Sequence, residues 1–226
     1  MKLFDLEEAL AGAKVVTRDG RVVTQLAKFD LTLESRLCGV CFHEIRHWSL
    51  DGVSSVARRH DLFMAPVPIG KPPMLGKPWT GQGGTYAGLI RGEDGDYHLI
   101  VATDPVGKLK GKWGRSGTKI AGADSKTDGF ANTQDMVNAG LVLAKAAQAV
   151  EVEGHRDFYL PSQGELSLIY ANAPEGFDKE WHWSSTQDST NCAWVQHFSD
   201  GCVSVGGKDN ELRARAVRRI KVEIDV

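Results

Sequence analysis

Cysteine is scarce, with four in 226 residues. That is too few for a disulfide scaffold, so free thiols are expected. An excess of charge of one sign is missing as well. With 27 Lys and Arg against 29 Asp and Glu, the formal net charge is −2. No global basic field is available to hold a phosphate backbone, and nucleic acid is excluded as the expected partner. No run approaches the roughly 18 apolar residues of a membrane span. The start, Met1-Lys2-Leu3-Phe4-Asp5-Leu6-Glu7-Glu8, carries acid where a secretory leader needs apolar residues. The expectation is a chain made in the cytoplasm without a signal peptide and without membrane insertion. Internal repeats and low-complexity tracts are absent too.

What is present is a globular composition, 42% hydrophobic and 25% charged, enough for a real core in one large or two small domains. Phe4, Leu6, Ala9 and Leu10 alternate with acids and stop at Gly12, the pattern of a short amphipathic helix. Lys14–Thr17 and Arg21–Thr24 flank Arg18-Asp19-Gly20, a tight hairpin turn. A second hairpin is expected from Leu37 to Leu50. Five of the eight prolines fall between Pro66 and Pro78, where lost backbone donors predict a linker over residues 66–85.

Beyond it, Gly88–Ile90 and Tyr97–Val101 flank a Glu93-Asp94-Gly95 turn. Residues 106–130, rich in Gly, Lys and Ser without periodicity, predict a long surface loop and a candidate for function. An apolar stripe from Thr133 to Val150, including Leu141, Leu143 and Ala147, predicts one helix on a sheet. Ser162 followed by Glu165 announces a second helix with a capping box. Strands follow at Trp181–Thr186, Ala193–Phe198, Cys202–Val205 and Ala214–Ile220, separated by Gly-containing turns.

The run Gly154-His155-Arg156-Asp157-Phe158-Tyr159-Leu160-Pro161-Ser162, with Glu165-Leu166, Trp183-Ser184-Ser185-Thr186, Ala193-Trp194, Phe198-Ser199-Asp200-Gly201 and Arg215-Ala216-Val217-Arg218-Arg219, resembles the Lcl C-terminal domain family. Phe158-Tyr159 stands where that family usually has Trp-Arg. The resemblance is looser back to about Tyr86. It implies a C-type-lectin-like fold and binding without catalysis, and it names no ligand. Many such chains resemble bacteriophage and prophage proteins, and Phe4–Leu10 with Val16–Gly20 looks like an N-terminal segment of those proteins. The fold class expected is therefore α+β. A small αβ N-terminal domain with hairpins (1–65), for attachment or assembly, joins through the linker (66–85) to a C-type-lectin-like domain (86–226) of two helices packed on short antiparallel strands.

In that fold the last strands and turns build the ligand surface. The polar loops Gln187-Asp188-Ser189-Thr190-Asn191 and Lys208-Asp209-Asn210-Glu211 lie beside aromatics, offering hydrogen bonds next to stacking surface. Trp194, Gln196 and His197 complete the expected binding set. Strand alternation puts either Trp194 or its neighbours Ala193 and Val195 outward, and the pattern leaves both arrangements open. The expected partner is a host surface protein or glycan contacted by a virion-associated tail or fibre protein, homo-oligomeric and trimeric if fibre-like. The alternative is an intracellular phage accessory protein binding a host protein or small ligand.

Other constellations carry less. Cys38-x-x-Cys41 with His43 and His47 has zinc-ligand types, but on strands the ligands would not converge without a special turn. Cys192 and Cys202 invite comparison with formylglycine-generating oxidases, relatives of this fold that use a cysteine pair. The lectin calcium triplets are absent and Asp209-Asn210-Glu211 is a weak cluster, so no cofactor and no metal are expected. Asp104, His155, Asp157 and His182 are not tied together by any motif. Gly81-Gln82-Gly83-Gly84 lacks the Lys-Ser or Lys-Thr of a phosphate loop and reads as a hinge.

Overall fold

The computed structural model describes residues 2–11, 13, 15–17, 22–30, 35–41, 44–48, 62–64, 71–92 and 95–222. The chain is α+β, mostly sheet with few helices, and divides into two compact units, Met1–Gly70 and Lys71–Val226.

The first unit runs β1 (Lys2–Leu3), α1 (Leu6–Leu10), β2 (Val15–Thr17), β3 (Val22–Asp30), β4 (Ser35–Cys41), β5 (Glu44–Trp48) and β6 (Leu62–Met64), with sheet order β1-β6-β2-β3-β4-β5. The Asp5 carboxylate accepts from Glu8 N at 3.0 Å and starts α1. Ala9, Val15 and Val23 are buried with Phe4, Leu6 and Leu26 packed against them. The β2–β3 hairpin pairs Val15 with Val23 and Val16 with Val22; its Arg18-Asp19-Gly20 turn lies outside the described residues. The β4–β5 hairpin places Cys38 opposite His47 and Cys41 opposite Glu44. The side chains of Cys38, Cys41 and His47, and all of His43, lie outside the described residues.

The second unit runs β7 (Pro78–Trp79), β8 (Gly84–Gly92), β9 (Gly95–Ala102), β10 (Lys108–Lys112), α2 (Gly129–Asn138), α3 (Val142–Gln148), α4 (Gln163–Asn172), a 3-10 turn (Pro174–Gly176), β11 (Trp181–Gln187), β12 (Cys192–His197), β13 (Val203–Gly207), β14 (Glu211–Arg215) and β15 (Val217–Lys221). It holds a five-stranded sheet, β10-β14-β11-β12-β13, and a four-stranded one, β15-β9-β8-β7. The chain passes from one sheet to the other at Ala216, which is fully buried and bonded to Gly107 and Ala102. One core gathers Trp113, Met136, Leu143, Trp183 and Val195. Another gathers Leu99, Tyr159, Leu166, Phe177, Phe198 and Val217.

Four expectations change. Residues 78–85, placed in the linker, carry β7 and the start of β8, with Trp79 buried; Pro78 is tolerated at the start of a two-residue edge strand. The loop expected over residues 106–130 contains β10, which pairs with β14 from Lys108 opposite Arg215 to Lys112 opposite Glu211. The single helix expected over residues 133–150 is two, because Gly140 adopts φ +86° after the Ala139 cap and stops the first. The strand expected over residues 214–220 is divided by the sheet switch at Ala216. No helix among the described residues is long and apolar enough to cross a membrane.

Candidate ligand-binding site

The motif residues act mainly as a frame. Glu165, fully buried, accepts from Ser162 N at 2.7 Å, Gly129 N at 3.1 Å and Tyr159 OH at 2.7 Å. One carboxylate thus fastens the starts of α2 and α4 to the strand-like segment before α4. Burial raises its pKa, and the bonds from Ser162 and Tyr159 offset only part of that rise. Arg218 makes a two-pronged pair with Asp157 at 2.8 and 3.1 Å and also reaches Gln82. Arg219 pairs with Asp128, the cap of α2. Arg215 donates to the Ala102 and Gly176 carbonyls. The Ser184–Thr186 run lies in the register shift between β11 and β12, and turns to other partners: Ser185 N donates to Pro161 O and the Thr186 hydroxyl to Ser125 O. These bonds satisfy polar groups that are buried.

At one end of the five-stranded sheet three loops are knitted together. Lys208, with no exposed surface, donates from Nζ to Thr118 O at 2.8 Å and to Gln187 Oε1 at 2.6 Å. Its ammonium lies 4.6 Å from the Trp113 ring centre, and burial pulls its pKa below the ordinary lysine value. Gln187 Oε1 also accepts from Ile120 N at 2.8 Å. Asn191 Oδ1 accepts from Gly117 N at 2.8 Å and Ser116 Oγ at 3.2 Å, while Asn191 O accepts from Lys208 N. The β11–β12 turn, the β13–β14 turn and residues 113–120 therefore hold one another. Asp188, Ser189, Thr190, Asn191, Asp209, Asn210 and Glu211 stand exposed on this assembly.

Beside it opens a groove of about 450 Å³ lined by Lys112, Trp113, Arg115, Ser116, Leu141 and Asp209 among others. Asp209 is the one residue of the expected binding set on its lining. The rest comes from the 106–130 loop, whose composition marked it as a candidate for function, and from the α2–α3 connection. Nothing in the apolar stripe signalled that its Leu141 end forms a groove wall, because the stripe reads as one uninterrupted helix.

Three residues expected on the binding face are corrected by burial. Gln187 and Lys208 form the internal tie just described, and Gln196 accepts from Ser167 Oγ at 3.3 Å and donates to Gly201 O at 3.3 Å. Trp194 and His197 lie along β12 rather than on the knitted loops. Ala193 and Val195 point into the core, so Trp194 takes the other face, half-buried with the Lys126 ammonium 5.1 Å from its ring.

The register also separates the two cysteines. Cys192 stands opposite Gly207, whereas Cys202 precedes Val203, which stands opposite Gln196. They occupy opposite ends of the hairpin, so the pair that motivated the oxidase comparison does not meet. His197 Nδ1 lies 2.8 Å from Ser199 Oγ and 3.4 Å from Asp200 Oδ1. One ring nitrogen serves both, unlike a relay in which base and orienting acid use different nitrogens. Among the described residues no three His, Cys, Asp or Glu side chains gather as metal ligands would.

No family model matches the sequence, and no curated protein matches it. Among solved structures the chain is similar to a fimbrial protein from Bacteroides ovatus, with a TM-score of 0.38 and 10% identity over 81% of this chain and 56% of that one. The chain thus spans little more than half of that protein's length, and a likeness this loose carries no argument.

Proposed function

We propose that residues 71–226 form a non-enzymatic, C-type-lectin-like binding module of the Lcl C-terminal domain type. Its setting is a phage or prophage virion, where it contacts a host surface protein or glycan. The observation that carries the binding reading is the loop assembly around Lys208. Its anchors, Lys208, Gln187 and Trp113, are buried, and its polar tips are presented to solvent beside a groove. A rigid frame with exposed polar tips is a preorganised recognition surface. The separation of Cys192 from Cys202 removes the motive for an oxidase.

Mass spectrometry of purified virions tests the setting. A structural copy number, with host adsorption lost on substitution of Asp188, Asn191 and Asp209 by alanine, is the expected result. Absence from virions sinks the adhesion reading and leaves an intracellular accessory protein.

A further inference from the structure

We infer that the groove beside the knitted loops takes an acidic peptide segment, its carboxylate held by Lys112 and Arg115 and an aliphatic side chain laid on Leu141 and Val142. The inference rests on the binding reading above and names the ligand class of that same site. It starts from charge. Lys112 and Arg115 line the groove, and the Lys145 ammonium stands 4.0 Å from where a Cβ on Gly140, another lining residue, would lie. All three side chains are exposed, and none makes an ion pair with a described residue, although Glu211 stands opposite Lys112 in the β10–β14 ladder. Asp209 is the single carboxylate on the lining. Unpaired cations around a concave surface favour an anionic group.

The walls then select among anions. Val142 is 82% exposed, more than any other large hydrophobic side chain described, and it lines the groove with Leu141. Branched aliphatic surface beside cations suits a ligand that joins a carboxylate to an aliphatic side chain. A sugar ring would be served by an open aromatic face. The groove offers none, since Trp113 is fully buried, has Lys208 over its ring and donates Nε1–H to Ser184 O at 2.9 Å. Asp209 supplies an acceptor for a peptide N–H. The volume of about 450 Å³ falls within the range of small-ligand sites of about 300–1,000 Å³, so a short segment rather than a folded domain enters it.

The test is an amide NMR titration of the full chain with N-acetyl-Glu-Leu, and in parallel with N-acetyl-Lys-Leu and with glucuronate. Saturable shifts confined to residues 112–116 and 140–142 are expected for the acidic dipeptide alone, weakening about tenfold from low to high salt. They should vanish in Lys112→Glu/Arg115→Glu and diminish in Val142→Ser, surface changes that leave the remaining spectrum intact. Equal shifts with glucuronate would overturn the peptide assignment, and equal shifts with N-acetyl-Lys-Leu or no saturable shift would overturn the site. Host adsorption is scored separately. Adsorption that depends on Asp188 without dipeptide binding sinks this inference alone, whereas dipeptide binding without adsorption sinks the virion reading alone.

Discussion

The Lys208 ammonium sits 4.6 Å from the centre of the Trp113 ring, and both residues have no exposed surface. A charged side chain in such a place is held by its partners, and here the partners are the two loops it joins. Lys208→Met keeps the aliphatic stem and removes the bonds to Thr118 O and Gln187 Oε1. The expected outcome is a loss of about 2 kcal/mol in urea unfolding, with faster hydrogen exchange at Gly117 and Ile120. An unchanged exchange pattern would show that the loops hold without it.

His182 predicts an acid limit to stability. It is buried edge-on against the stacked rings of Phe177 and Phe198, its Nδ1–H donates to Glu180 O at 2.9 Å, and burial lowers its pKa to about 4. The unfolded chain, with its histidine near 6.5, takes up the proton first as pH falls. The contribution is complete above about pH 6.5 and is lost as pH drops towards 4, by roughly 3 kcal/mol at most. Urea midpoints measured from pH 7 to pH 4 should show this slope in the wild type and a shallower one in His182→Gln.

Glu165→Ala leaves Ser162 N, Gly129 N and Tyr159 OH without their shared acceptor in a buried place. A loss of roughly 3 kcal/mol or more is expected by chemical denaturation. Glu165→Gln, which keeps an oxygen acceptor, should lose less.

Cys192 and Cys202 should remain free thiols. Five residue steps of strand put their Cα atoms roughly 16 Å apart, beyond the limit of about 7 Å for a bridge. Exposed Cys202 should react with a thiol reagent before half-buried Cys192, and peptide mapping after mild oxidation should show no Cys192–Cys202 bridge. A cross-linked peptide joining Cys192 to Cys202 would contradict the β12–β13 register.

Local chemistry was legible wherever it was short-range. The capping box of Ser162 and Glu165 is present as the spacing requires, since its bonds span three residues. The β8–β9 hairpin follows from a turn flanked by branched residues, although its Glu93-Asp94 tip lies outside the described residues. Gly140 is the instructive failure. The apolar stripe continues through it, so periodicity alone sees one helix, while its positive φ ends α2 and lets Leu141 and Val142 turn out to the groove.

By itself the sequence determined the α+β class, the absence of a membrane-spanning run, and the polar composition of the two C-terminal loops. Only the tertiary structure decided which members of those loops are anchors and which are tips. Lys208 and Asp209 are adjacent and both polar, yet one has no exposed surface and the other lines the groove. The difference comes from Trp113, Thr118 and Gln187, residues between 21 and 95 positions away, which supply a ring face and two oxygens to one ammonium. Contacts at that separation leave no periodic trace in a sequence, because they depend on which chain segments the sheets bring together.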